Sequence, residues 1–172
     1  MKHFYIILLM AVSIFSCGSL AHKPKGDLIY CSYCQAGAAG IGTDYCELIA
    51  DPDSLPRVVV VIDADNRFGY PVIRRTFPVD KSVVDSLSQI LDDLKVYKLD
   101  GYTLHEPICG GHSNRIHIEY SSGDKVHATW YGHKIKAEAI TAYNTIAYFF
   151  SPWYNEAMKD KKDEVYSGET EQ

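Results

Sequence analysis

Residues 57–62 read Arg-Val-Val-Val-Val-Ile, and this run constrains the fold more than any other segment. β-branched side chains favour extended backbone, and successive residues of a strand point to opposite faces. Consecutive valines therefore put apolar groups on both faces, as in a strand buried on both. A turn at Asp63–Gly69 and a return strand Tyr70–Phe77 follow, with Pro71 placing the start of that strand at an edge or strand end. From Val79 to Leu94, Val83, Val84, Leu87, Ile90, Leu91 and Leu94 recur at three- and four-residue steps behind Asp80, which predicts a capped amphipathic helix.

A third strand is expected over Tyr97–Leu104, then a loop from His105 to Ser113. Asn114–Tyr120 and Asp124–Tyr131 flank Ser121-Ser122-Gly123, a three-residue hairpin loop in which glycine takes the left-handed position. That loop sets Glu119 against Lys125, Ile118 against Val126, His117 against His127, Ile116 against Ala128 and Arg115 against Thr129. A second helix is expected over Lys136–Phe150, burying Ile140, Tyr143, Ile146, Ala147 and Phe150, with Ser151-Pro152 starting one further short turn. The order ββαβββα predicts an α+β fold: an antiparallel sheet of about five strands with two helices on one face.

Along the chain this gives a leader at 1–16, a lipidated N-terminus and tether at 17–26, a Cys/Gly-rich irregular segment at 27–54, the α+β domain at 55–158 and a charged, frayed tail at 159–172. The hydrophobic fraction of 47% excludes a wholly disordered chain. The net charge of −5 argues against nucleic acid as a partner, because phosphates demand clustered Lys and Arg.

Met1-Lys2-His3 is a short positive segment, and Phe4–Phe15 is apolar apart from Ser13: the core of an export signal, too short to span a bilayer. Ile14-Phe15-Ser16-Cys17 resembles the lipobox of bacterial lipoproteins, with an aliphatic residue three before the cysteine and a small one just before it. The resemblance implies cleavage before Cys17, a thioether-linked diacylglyceride on its thiol and a further acyl chain, such as palmitate, on its amine. Two or more chains anchor stably where one would exchange. Gly18 is not the acidic residue that favours inner-membrane retention in such proteins, so the resemblance implies an outer-membrane anchor facing the periplasm. The alternative is an ordinary secretory leader cut near Ala21.

Cys31, Cys34, Cys46 and Cys109 remain after Cys17. An even number in an exported chain favours two disulfides, at least one tying the 31–46 segment to itself or to Cys109. Two other patterns compete. Cys31-Ser32-Tyr33-Cys34 resembles the dithiol of glutaredoxin-like proteins, which implies redox chemistry but needs a helix N-terminus to lower the first thiol's pKa; glycine-rich Gln35–Gly42 is a poor helix. Cys31-x2-Cys34 with Cys109-Gly110-Gly111-His112 has the paired spacing of a zinc ribbon. The opposed His117 and His127 make a candidate metal pair, with His133 as a third ligand, although a tight zinc site wants three or four.

No carboxylate pair, nucleophile elbow or phosphate loop names a reaction, which leans against an enzyme. Tyr102, Tyr131 and Trp153 are the aromatics expected on a recognition surface. The expected function is a non-enzymatic, membrane-anchored envelope module binding a protein or small ligand, with no cofactor beyond the lipid on Cys17. A thiol-disulfide or metal-handling protein using Cys31 and Cys34, assisted by His112, His117 or His127, is the alternative.

Overall fold

The computed structural model describes residues 22–37, 43–62, 72–107 and 111–167. The strands are β1 (Leu28–Gly37), β2 (Thr43–Ile49), β3 (Arg57–Ile62), β4 (Ile73–Pro78), β5 (Thr103–His105), β6 (His112–Tyr120) and β7 (Lys125–Tyr131). The helices are α1 (Lys81–Asp93) and α2 (Ala137–Ser167), and a 3-10 turn spans Val96–Leu99. The strands form one seven-stranded sheet in the order β4-β3-β2-β1-β6-β7-β5.

The α+β class stands, but the sheet has more than the five or so strands expected, and it is mixed. β5 runs parallel to β7, while every other pair is antiparallel. The two additional strands, β1 and β2, come from the segment expected to be irregular. The sequence of β2 alternates: Cys46 and Leu48 are buried between half-exposed Tyr45, Glu47 and Ile49. The third expected strand is split, because Lys95 adopts a left-handed conformation (φ 51°) that ends α1. Val96 and Leu99 then tuck into the core from the 3-10 turn, leaving three residues for β5.

One face of the sheet carries the core. Cys31, Cys46, Leu48, Val58, Val60, Ile62, Ile116, Ile118, Val126, Ala128 and Trp130 project from the strands into a single cluster with Val84, Leu87 and Leu91 of α1 and Ala139, Ala142, Ile146 and Phe150 of α2. α2 lies against β1, β3, β4, α1 and the 3-10 turn. Its buried stripe differs from the expected one: Ile140 stands 42% exposed, and Ala139 and Ala142 face the sheet instead. Small side chains there let the helix backbone approach the strands closely.

α2 also runs through Pro152, where a new turn was expected, and reaches Ser167 through part of the sequence expected to fray. Proline cannot donate to the carbonyl of Tyr148 four residues back. The Ser151 hydroxyl donates to that oxygen instead, at 2.7 Å. At α1, Asp80 occupies the N-cap position, but its side chain makes no capping hydrogen bond.

The hairpin register agrees with the sequence reading: His117 faces His127, Glu119 faces Lys125, and Arg115 faces Thr129. Gly123 has φ 89°, the left-handed position the loop required. Cys17 and the leader lie outside the described residues, as do Cys109 and residues 168–172.

Candidate functional site: the open face of the sheet

Both helices pack on the core face. The opposite face carries Tyr30, Ser32 and Cys34 from β1, Tyr45 and Glu47 from β2, Arg74 from β4, Arg115, His117 and Glu119 from β6, and His127, Thr129 and Tyr131 from β7, as the strand registers require. A shift in the β1–β6 register between Leu28 and Tyr30 sets the parity of β1: Leu28 goes to the core, and Tyr30 two residues later to the open face.

Polar groups join into a row across this face. Arg74 Nη1 donates to Tyr45 Oη at 3.3 Å, and Arg74 Nη2 lies 3.7 Å from Glu47 Oε1. Val61 pairs with both Tyr45 and Arg74, and it is 3% exposed between those bridged neighbours. Tyr30 Oη donates to Glu47 Oε2 at 2.9 Å. Burial, with the Glu47 carboxylate adding to it, pushes the Tyr30 phenol up to about 12, so it remains a donor at neutral pH.

Beyond Tyr30 the row continues as rings. Tyr30 and His117 have centroids 5.6 Å apart, and His117 and His127 5.7 Å, edge to face. His117 Nε2 lies 2.8 Å from Glu119 Oε1, which also accepts from Lys125 Nζ at 2.8 Å. These two partners, Lys125 first, hold the Glu119 carboxyl below its ordinary range. Partial desolvation lowers the pKa of His127, and the neighbouring His117 and Arg115 lower it further. Thr129 Oγ1 lies 3.2 Å from His127 Nε2. Beside Tyr30 and His117, at the β6–β7 turn end of the strands, a shallow groove of about 510 Å³ is lined by Ile29, Tyr30, Ile49, Asp51, Pro52, His117 and Glu119. It offers an apolar floor and carboxylate acceptors, with the single Tyr30 proton already committed to Glu47.

The two histidines are thus brought together, but among the described residues no group of three or more His, Cys, Asp or Glu side chains is placed to hold a metal ion. His133 lies in the connection after β7, where its backbone amide donates to Glu106 Oε2 at 2.5 Å. The three aromatics expected to be exposed are each half-buried, and they do not converge. The Tyr102 hydroxyl accepts from Lys136 N at 3.2 Å, with the Lys136 ammonium 4.7 Å from its ring centroid. Tyr131 stacks on His105, and Trp153 packs on Phe149 and Phe150 on the core side of α2. Tyr148 is the aromatic left 80% exposed.

Among the described residues Cys31, Cys34 and Cys46 are free thiols, while Cys109, which completes the four expected half-cystines, lies outside them. Cys31 and Cys34 belong to one strand at odd spacing, so they point to opposite faces and cannot meet. Burial pushes both Cys31 and Cys46 up to about 12 and raises Cys34 as well, the reverse of an activated thiol. The Cys46 thiol donates to the Tyr33 hydroxyl at 3.6 Å.

Sequence reasoning missed Tyr30, Tyr45, Glu47 and Arg74 as members of one surface. The available signal was the alternation Tyr45-Cys46-Glu47-Leu48, two polar residues out and two apolar residues in. Comparison with protein-family models and with curated proteins finds no match.

Proposed function

We propose that this chain is an exported lipoprotein, anchored to the outer membrane through acylated Cys17, that works as a non-enzymatic binding module of the envelope. The anchor rests on the leader and on the lipobox-like Ile14–Cys17. The binding role rests on one observation above all: a polar, aromatic-bearing sheet face with a groove at its end, on which neither helix packs. Its tyrosine, histidine and arginine side chains are the types that recognition surfaces favour, pinned by cross-strand bonds rather than left loose. Raised thiol pKa values and the parity of β1 support this reading over the thiol-disulfide one.

Two measurements test it. Cys17→Ala should release the protein from membranes; a variant that still fractionates with them removes the anchor from the proposal. Crosslinking from intact envelopes should then compare wild-type protein with a Tyr30→Ala/His117→Ala double variant. A partner captured by wild type and lost by the variant is the expected outcome, while identical capture by both would show that the open face is not the binding surface.

A further inference from the structure

The chain joins the sheet through a grip, not a free linker. Lys25 N donates to Asp124 Oδ2 at 2.9 Å, and His22 Nε2 lies 3.2 Å from Asp124 Oδ1. Asp27 N donates to Ser121 Oγ at 2.9 Å, and Ser121 N donates back to Asp27 O at 2.8 Å. Lys23 Nζ reaches Asp92 Oδ2 on α1 at 3.1 Å. Gly26, at φ 81°, passes so close to the β6–β7 turn that a Cβ there would collide with Ser121 Oγ. The Lys25 amide, then Ser122 and His22, hold the Asp124 carboxyl below its usual range, so the grip is formed with a charged acceptor at neutral pH.

The grip shortens the tether. Residues 17–26 read as linker in the sequence, but the chain is already docked at His22. Five residue steps separate Cys17 from His22 and span at most roughly 17 Å. The sheet is longer than that: β6 has nine residues, about 30 Å from the turn end to the His112 end. A domain held so closely at one end of its strands cannot turn the other end to the same surface.

We propose that the β6–β7 turn end of the sheet is the membrane-facing surface of this protein, with the strands standing away from the bilayer and the His112, Thr43 and Tyr131 end pointing outward. This rests on the lipoprotein reading above. The partner is the lipid headgroup layer, and the short tether imposes the orientation rather than charge. At this end Lys23 pairs with Asp92 and Lys125 with Glu119, and Lys25 stands beside Asp124, so among the described residues the lysines of the grip form no unopposed basic cluster for anionic lipid to attract. The groove lined by Ile29, Tyr30, Ile49, Asp51 and Pro52 lies at this same end, so it opens beside the headgroups.

The test uses full-length acylated protein in neutral phosphatidylcholine vesicles carrying a surface acceptor dye, with a donor dye on an unnatural residue replacing His112 or Leu55, which is exposed in the β2–β3 connection at the turn end of the sheet and takes no part in the grip. Energy transfer from position 55 should exceed that from position 112 at least twofold, in low and high salt alike. Gly26→Val should shrink the difference by breaking the grip. A long Gly-Ser insertion before His22, which leaves fold and grip intact, should erase it. Equal transfer from both positions in vesicle-bound wild type, or a reversed order, overturns the orientation and leaves the anchor standing. Wild type that binds vesicles no better than Cys17→Ala overturns the anchor and this inference with it.

Discussion

Lys95 holds a conformation that its side chain disfavours. At φ 51° it occupies the left-handed position that ends α1, where glycine carries no Cβ penalty. Lys95→Gly should stabilise the fold by about 1 kcal/mol, read as a higher urea midpoint with an unchanged slope; an unchanged or lower midpoint would mean that the lysine makes contacts that offset its strain. His127 gives a pH dependence of known sign. Its folded pKa is lowered by partial burial and by His117 and Arg115, so the unfolded chain takes up the proton more readily. Its contribution is intact above the unfolded histidine value of about 6.5 and is lost as pH falls through the lower folded value. The carboxylates with lowered pKa values, Glu106, Glu119 and Asp124, act in a more acidic window. His127→Gln should therefore flatten the fall in melting temperature between neutral pH and about pH 5; parallel curves for the two proteins would refute this.

At the scale of elements, the hairpin of β6 and β7 was legible down to its register, because a glycine-bearing three-residue loop and period-two patterning specify the same pairing. β1 was hidden because the shift between Leu28 and Tyr30 breaks its alternation. β5 was misplaced because a left-handed lysine and a 3-10 turn consume residues that read as a strand. α2 was read too short at Pro152, a usual helix stop, because a serine hydroxyl replaces the missing donor. Pro152→Ala should restore the backbone bond to Tyr148 and stabilise the protein by about 1 kcal/mol or more, seen as raised helicity together with a raised melting temperature. A loss of stability would show that the proline ring's packing outweighs the missing donor.

For the whole molecule, a single core cluster joins strands on both sides of β1 to both helices. Trp130→Ala should cost about 3–5 kcal/mol and unfold the domain as a unit; a partial transition by chemical denaturation would contradict one cooperative core. The same burial protects the thiols. Cys31 and Cys46 should react with a thiol reagent at least about a hundredfold more slowly than a free cysteine, and at the rate of global opening. Fast reaction of either would place it outside the core described. What the chain determined alone is local: the runs that become β3, β4, β6, β7 and α1, how one hairpin pairs, and the acidic, glycine-rich and apolar segments in their order. Those outcomes follow from interactions a few residues apart. Which residues share the open face, that Cys31 and Cys34 part company, and that His22–Asp27 dock on the β6–β7 turn were decided only by tertiary structure. Each depends on pairing between segments distant in the chain, where one residue of register moves a side chain from core to solvent.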